Sequence, residues 1–305
     1  MPEENKTLDI LKKSLNRRKF VKGVGVAGLG VAGESLIASN LSSTLKGVLG
    51  PGFTGLTPFT VHAAPITDTD ILNFALNLEY LEAEFYTVVT TGKTIAEIGI
   101  GVDGTGTPGP TTGGERVRFR GGEDDEEDDD DEERVVGKVG KIAREVALDE
   151  QHHVVLLRTA LGADAIAKPA INLDALGFGF ENLRQFLQLA RAFEDVGVTA
   201  YAGAAPLITS KAILATAARI ALTEALHAGN IRLLVAENNV QTTPLDSLDI
   251  LPPPSGNQYF SVDATALVQV RTTSQVLAIV YGNSAAGTSS GGFFPNGVNG
   301  PINTV

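Results

Sequence analysis

The 305-residue chain contains no cysteine, and its single methionine is Met1. Disulfides, zinc-thiolate sites, iron–sulfur clusters and thiol nucleophiles are therefore excluded. Methionine-ligated haem and thioether copper sites go with them. Histidine is scarce as well: His62, His152, His153 and His227 are the only imidazoles. No cluster of Lys and Arg follows residue 22, so a basic footprint for nucleic acid is missing. The formal net charge of −12 has a local origin, because Glu123 to Glu133 are eleven consecutive carboxylates and the remainder of the chain is close to neutral. Such a run reads as a self-repelling, solvated loop, with a weak collecting surface for divalent cations as the alternative. A hydrophobic share of 43% over this length allows one good-sized core with appendages.

The N-terminus carries its own signature. Asn16-Arg17-Arg18-Lys19-Phe20-Val21-Lys22 runs into the small, weakly apolar stretch Gly23 to Gly33. This resembles a twin-arginine export signal, which a receptor reads and which is not a membrane anchor. The apolar stretch is interrupted at Glu34 and is too rich in glycine to make a transmembrane helix, so no stable membrane span is expected. Cleavage after Val61-His62-Ala63 would suit the small-residue rule, which makes 1–63 a signal and linker and places the product in the periplasm, outside the cell or on its surface.

From Asp68 the apolar pattern takes on a helical period. Ile71, Leu72, Ala75, Leu78, Leu81 and Phe85 recur at three and four, which predicts a helix from about Thr69 to Thr90. The Gly/Thr/Pro-rich stretch Gly99 to Gly114 and the acidic run lack that period and read as a long insertion loop over 91–134. Further helices are expected from about Val135 to Leu161, Glu181 to Ala204 and Ser210 to Asn239. Four long helices with apolar stripes predict an all-α four-helix bundle over 66–240. The extension 241–305 reads as a short helix over Gln275 to Tyr281, capped by Thr273 or Ser274, followed by a Gly-rich tail; a β-hairpin over Leu267 to Val280 is the alternative.

Two of the bundle helices hold the same device. Glu150 with His153, and Glu224 with His227, stand three residues apart, so each pair projects from one helix face about one turn apart. Each of the other two helices holds a Glu followed seven positions later by a Tyr, Glu79 to Tyr86 and Glu194 to Tyr201. Sliding the second helix onto the fourth by 74 residues also matches Ala143 with Ala217, Ala147 with Ala221, Leu148 with Leu222 and Arg158 with Arg232. A duplicated helix pair would leave that echo. The Glu–His pairs lie on apolar faces, with Ala143, Val146 and Leu157 beside the first and Ile220, Ile231 and Leu234 beside the second. Carboxylates buried there would be costly without a cation.

This donor set resembles that of the ferritin-like di-iron and di-manganese carboxylate proteins, in which one Glu from each of two helices joins a Glu-x-x-His from each of the other two. The resemblance implies bridging roles for Glu150 and Glu224, terminal roles for Glu79 and Glu194, and one imidazole per metal from His153 and His227. Hard carboxylates bridge and neutralise two cations, and open positions remain for O2 or peroxide. Two iron ions are implied, with manganese accepting the same ligands; haem and iron–sulfur clusters are not. Glu82, one turn beyond Glu79, reads as an extra ligand or an ion-pair partner. Tyr86 and Tyr201 read as hydrogen-bond partners of the ligands or as packing aromatics, and His152 as an outer neighbour or a surface residue. Arg158 and Arg232 either offset carboxylate charge or decorate the helix ends.

Ile71-Leu72-Asn73-Phe74-Ala75-Leu76-Asn77-Leu78-Glu79, Glu194 to Tyr201 and Gly292-Phe293-Phe294-Pro295-Asn296-Gly297 resemble the exported ferritin-like group that includes desiccation-related proteins. The ligand set is also similar to that of bacterioferritin, without its haem methionine. What this implies is either an exported enzyme that oxidises Fe(II) or reduces O2 or peroxide, with dimanganese catalase as a close variant, or a stress-protective, metal-sequestering protein without turnover. A homo-oligomer fits either; a storage cage does not, because the insertion loop and the tail would have to fit between packed subunits. Twin-arginine export carries folded proteins and so suits a chain that takes its metal before leaving the cytoplasm.

Overall fold

A computed structural model describes residues 65–119 and 130–305. The expected signal, the cleavage site and residues 120–129 of the acidic stretch lie outside the described residues. Five helices carry the described fold: α1 (Asp68–Thr91), α2 (Asp130–Leu161), α3 (Leu183–Ala204), α4 (Lys211–Glu237) and the short α5 (Thr273–Val280). Two-residue strands β1 (Thr111–Thr112) and β2 (Ile171–Asn172) pair in parallel. Among the described residues no helix is long and apolar enough to cross a membrane.

Local chemistry sets the helix ends. Thr67 caps α1 in a reciprocal box with Asp70, whose Oδ2 accepts from the Thr67 N–H at 2.8 Å, and Gly92 ends the helix at φ 76°. Asn182 and Ser210 cap α3 and α4 with side-chain oxygens. The helix α2 begins at Asp130, ahead of the Val135 expected from apolar period. Hydrophobic periodicity gives no signal over Asp130 to Glu133, which the described part of the helix includes. The cap of α5 is Thr272, with Gln275 completing the box, rather than Thr273 or Ser274. The alternative β-hairpin over Leu267 to Val280 does not form; an isolated bridge joins Val262 to Val268 and the rest is helix.

Cross-helix contacts fix the directions. Thr87 meets Gln151 and Tyr80 meets Arg158, so α1 and α2 are antiparallel. Glu79 meets Tyr201 while Phe85 meets Phe193, so α1 and α3 are antiparallel too. Asp195 meets Arg232 and Arg184 meets the Asn239 carbonyl, which makes α3 and α4 antiparallel. The helices α2 and α3 therefore run the same way, and the chain between them, 162–182, returns along the bundle as a crossover.

That crossover packs beside the connection that leaves α1. Thr105 N–H donates to the Ala165 carbonyl, Ala167 N–H to Thr105, Lys168 N–H to Val102 and Leu173 N–H to Thr112, an irregular parallel ribbon that includes β1 and β2. A Cβ on Gly104 would lie 2.3 Å from the Ala165 carbonyl oxygen, and one on Gly109 the same distance from Ala170 N. The glycines that read as loop composition are thus needed for close backbone approach.

Wrapped by α2, α3, this ribbon and the tail, α1 is buried nearly all round. Its buried Asn73 and Asn77 are satisfied from the wrapping segments: Asn73 accepts from Ile166 N–H and donates to the Asp164 carbonyl, and Asn77 exchanges two hydrogen bonds with the backbone of Asn299. The tail is docked at several points. Phe293 and Phe294 are buried, and Arg271 binds Asp246 and Thr199 while its backbone N–H donates to the Thr199 carbonyl.

Candidate metal centre

Near the middle of the bundle each long helix turns one or more carboxylates inward. Glu79 and Glu82 come from α1, Glu150 from α2, Glu194 from α3 and Glu224 from α4; apart from Glu82, at 5%, none has any solvent exposure. His153 and His227 are almost as buried. The apolar stripes expected beside them, Ala143, Val146 and Leu157 on α2 and Ile220, Ile231 and Leu234 on α4, are all in the core. The periodicity argument thus holds side chain by side chain. The echo reaches the solvent face as well, where Leu148 and Leu222 are both exposed.

The imidazole of His153 points Nδ1 at three carboxylates, 3.2 Å from Glu79, 3.2 Å from Glu150 and 3.3 Å from Glu224. The Nδ1 of His227 lies 3.0 Å from Glu150 and 3.4 Å from Glu194. The ligand-bearing atoms form two compact groups, each within 4.8 Å: Glu79, Glu150, His153 and Glu224, and Glu150, Glu194, Glu224 and His227. Glu150 and Glu224 belong to both. The two rings are 6.4 Å apart.

These groups converge without enough donors. Both oxygens of Glu194 and of Glu224, one each of Glu79 and Glu150, and Nδ1 of His227 are buried and lack a hydrogen-bond partner. A packed protein leaves few such atoms. Two divalent cations would satisfy them with hard oxygen and imidazole donors, so the residues present fit a dinuclear metal site.

Ionisation responds to the crowding. Burial, and then the charges of Glu224, Glu150, Glu194 and Glu79, push Glu82 well above the usual carboxylate range. Burial and the charge on Glu150 do the same to Glu224. Burial and Glu79 raise Glu150 to about 7 against the opposing pull of both imidazoles. For Glu79 burial pushes upward too, but the facing His153 imidazolium outweighs it and the carboxyl sits below its usual range. Burial disfavours imidazolium, yet Glu79 and its neighbours hold His153 protonated far above its ordinary value, and Glu150 and Glu194 hold His227 protonated up to about 12. The cluster therefore carries protons wherever a cation is not bound.

The neighbours sort themselves. Tyr201 donates to Glu79 at 2.5 Å, a hydrogen-bond partner rather than a packing aromatic. Tyr86 is buried, and burial followed by the adjacent Glu194 charge raises its phenol well above the usual value; its ring also packs edge-on against Phe85 and Phe186. Glu82 is brought to the cluster but joins neither four-residue group. His152 is exposed and points away. Its sequence neighbour Asp149, which a shifted Asp-x-x-His frame would pair with it, instead holds the outer nitrogen of His227 at 3.1 Å. The echoed arginines do different work: Arg232 is buried against Asp195 at 2.7 Å, whereas Arg158 binds the Tyr80 hydroxyl and the Asp103 carbonyl. Arg191 completes a buried web by binding Asp249 at 2.6 Å and the Thr243 carbonyl. Burial dominates Asp195 and raises it to about 6 despite Arg232 and Arg191.

Gly197 is the functional residue that sequence reasoning passed over. It sits inside α3, where glycine weakens a helix by about 1 kcal/mol. A Cβ there would stand 2.6 Å from Glu224 Oε2 and 3.1 Å from Glu82 Oε1. Its hydrogen is what lets the carboxylates of α1 and α4 close against α3.

Comparison with known families adds one match: the family model described as the ferritin-like domain covers residues 67–237, from the cap of α1 to the last residue of α4. No curated protein sequence matches the chain.

Proposed function

Because the chain belongs to the ferritin-like domain family, we propose that its six central residues hold two metal ions and that the loaded protein oxidises Fe(II) or reduces O2 or peroxide. Glu79 and His153 would hold one ion and Glu194 and His227 the other, with Glu150 and Glu224 common to both groups. The observation that carries this reading is the pair of buried four-residue groups sharing those two carboxylates.

When bound, a dinuclear iron or manganese centre supplies redox and Lewis-acid chemistry. The chain supplies its enclosure. Complete burial of the carboxylates excludes bulk water, which strengthens every charge interaction inside. Tyr201 donates to Oε1 of Glu79, the oxygen that does not face His153, and so fixes how that carboxylate turns. Asp149 orients the His227 ring from outside. No separate proton relay is needed to fill the site, since the protons held by Glu150, Glu224, His153 and His227 would leave as cations enter. Iron and manganese accept the same donors and both change valence; iron is the metal we propose, with manganese as the alternative. Export by the twin-arginine route, motivated by Arg17 and Arg18, belongs to the same reading.

The test is metal analysis of the purified chain together with Fe(II) oxidation and peroxide consumption, in wild type and in Glu224→Ala and His227→Ala. Two metals per chain and turnover that both variants abolish are expected. Bound metal with equal, background rates in all three would replace the enzyme by a sequestering protein, and absence of bound metal after exposure to Fe(II) and Mn(II) would end both readings.

A further inference from the structure

On the side of the bundle where α1 and α3 meet α5 lies a cavity of about 120 Å³. Its wall is largely apolar and includes Leu78 and Leu81 from α1, Leu189, Phe193 and Val196 from α3, and Ile279 from α5. Leu176, in the crossover, and Asn283, just after α5, are solvent-exposed lining residues. Its one charged lining residue is Glu82, beside Gly197, where α3 has no side chain to separate the cavity from the carboxylate cluster. Glu82 is 5% exposed, and among the described residues no donor or cation pairs with it. A largely buried carboxyl group that lines an apolar cavity and has no protein donor marks a place where a ligand can supply the partner.

We propose that this cavity is a ligand site for a small, uncharged aromatic alcohol, its ring among Phe193, Phe293 and the leucines and its hydroxyl on Glu82. Size sets the first limit: an apolar cavity of about 150 Å³ accommodates benzene, so at about 120 Å³ this one takes no more than a single ring, and that only by using its opening beside the exposed Leu176 and Asn283. The wall sets the second: Phe193 and Phe293 already stand edge to face with centroids 5.1 Å apart, the geometry in which a third ring adds favourably. Charge sets the third. A ligand carboxylate would face Glu82 and the four carboxylates behind it, and an ammonium group would shed its water in an apolar passage. A hydroxyl both donates and accepts, so it suits a carboxyl group in either ionisation state. The C-terminal extension then has a task beyond stability, because α5 and Phe293 close the cavity that the four bundle helices would leave open. That this ligand is a substrate rests on the proposed metal centre; the cavity itself does not.

Phenol is the probe, titrated by calorimetry into the full chain as purified, with metal content measured on the same sample, and again after chelation. Saturable binding of phenol is expected in both, at least tenfold tighter than toluene, which has the same ring and no hydroxyl. Ala192→Leu, on the α3 wall, fills the cavity and is expected to weaken phenol at least tenfold, with unchanged metal content and melting temperature showing that the fold is intact. Leu176→Ala, at an exposed part of the lining, is expected to leave affinity within about twofold. Absence of saturable binding in the wild type, equal affinity for toluene, or equal phenol affinity in a folded Ala192→Leu variant would each overturn the proposal. Phenol binding in a chain that takes up no metal would leave the cavity standing and remove the proposed function alone.

Discussion

Asp149 Oδ2 lies 3.1 Å from Nε2 of His227, and the next residue of α2, Glu150, turns its carboxylate to the Nδ1 of the same ring. The imidazole thereby faces a carboxylate at each nitrogen, both from consecutive residues of another helix, with the hydrogen bond made at Nε2. The duplicated position on α4 is Thr223, which has no carboxylate to offer His153. The two halves of the centre are built alike in their inner residues and unlike in this outer one.

Asp149→Ala is therefore expected to weaken one metal position more than the other. Outer partners of this kind are typically worth 10- to 100-fold in metal affinity, so the Glu194–His227 position should lose about that factor while the Glu79–His153 position keeps its affinity. Competitive chelator titration, resolved into two binding steps, checks this. Equal weakening of both steps would mean that the asymmetry has no consequence.

Gly197→Ala sets two effects against each other. Alanine favours a helix interior over glycine by about 1 kcal/mol, but its Cβ would stand 2.6 Å from Glu224 Oε2 and 3.1 Å from Glu82 Oε1. The carboxylates must retreat, and Glu224 belongs to both four-residue groups. The expected outcome is an unchanged far-ultraviolet circular dichroism spectrum with metal stoichiometry falling well below two. A variant that binds two metals as tightly as wild type would show that the contact relaxes without cost.

The difference between what the sequence shows and what it hides follows from range. Glu150 with His153 and Glu224 with His227 are legible because one helical turn fixes their common face, and Ala143 or Ile220 reports whether that face is apolar. The order of the helices and the all-α class follow from the same period. The role of Asp149 is invisible at that level: local spacing pairs it with His152, three residues on, and only the antiparallel approach of α2 and α4 delivers it to His227. Gly197 reads as a weak spot in a helix until Glu224 and Glu82 are placed against it. Asp130 to Glu133 read as loop because charge carries no apolar period, although helix α2 starts there. Glu84 resembles any surface carboxylate, yet it is buried 3.5 Å from Lys168 on the crossover, and burial holds its acid form to higher pH than usual.

Arg271 is expected to hold the C-terminal extension on the bundle. Its guanidinium binds both oxygens of Asp246 at 2.8 Å and the Thr199 hydroxyl at 2.8 Å, and it is buried. Hydrogen bonds to charged groups contribute about 1.5–3 kcal/mol, so Arg271→Ala should destabilise by about 2–3 kcal/mol in denaturant unfolding and make 241–305 the first segment cut by protease. The pair also has an acid limit. The Arg271 hydrogen bonds lower Asp246 from its usual value of 3.8. A depressed carboxyl contributes stability that is present above the unfolded value and lost as pH falls through the folded one. The wild type should thus lose stability below pH 3.8 with a contribution that Asp246→Asn removes.

The metal-free centre should show the opposite dependence. Burial and neighbouring charges raise Glu82 and Glu224, and bring Glu150 to about 7. A carboxyl with a raised folded value binds more protons folded than unfolded, so stability declines as pH rises from the unfolded value of about 4.3. The imidazoles add to this. His227 is raised to about 12 and His153 is raised as well, so their contribution is full below about 6.5 and is lost progressively above it. Protein stripped by chelation should therefore melt at a lower temperature at pH 8 than at pH 5. Cations replace the protons, so Mn(II) should bind more tightly as pH rises through about 7, the value of Glu150, and should raise the melting temperature more at pH 8 than at pH 5. Calorimetry in two buffers of different ionisation enthalpy counts the protons released. A metal affinity that does not change between pH 5 and pH 8 would mean that these carboxyl groups and imidazoles are not where the cations sit.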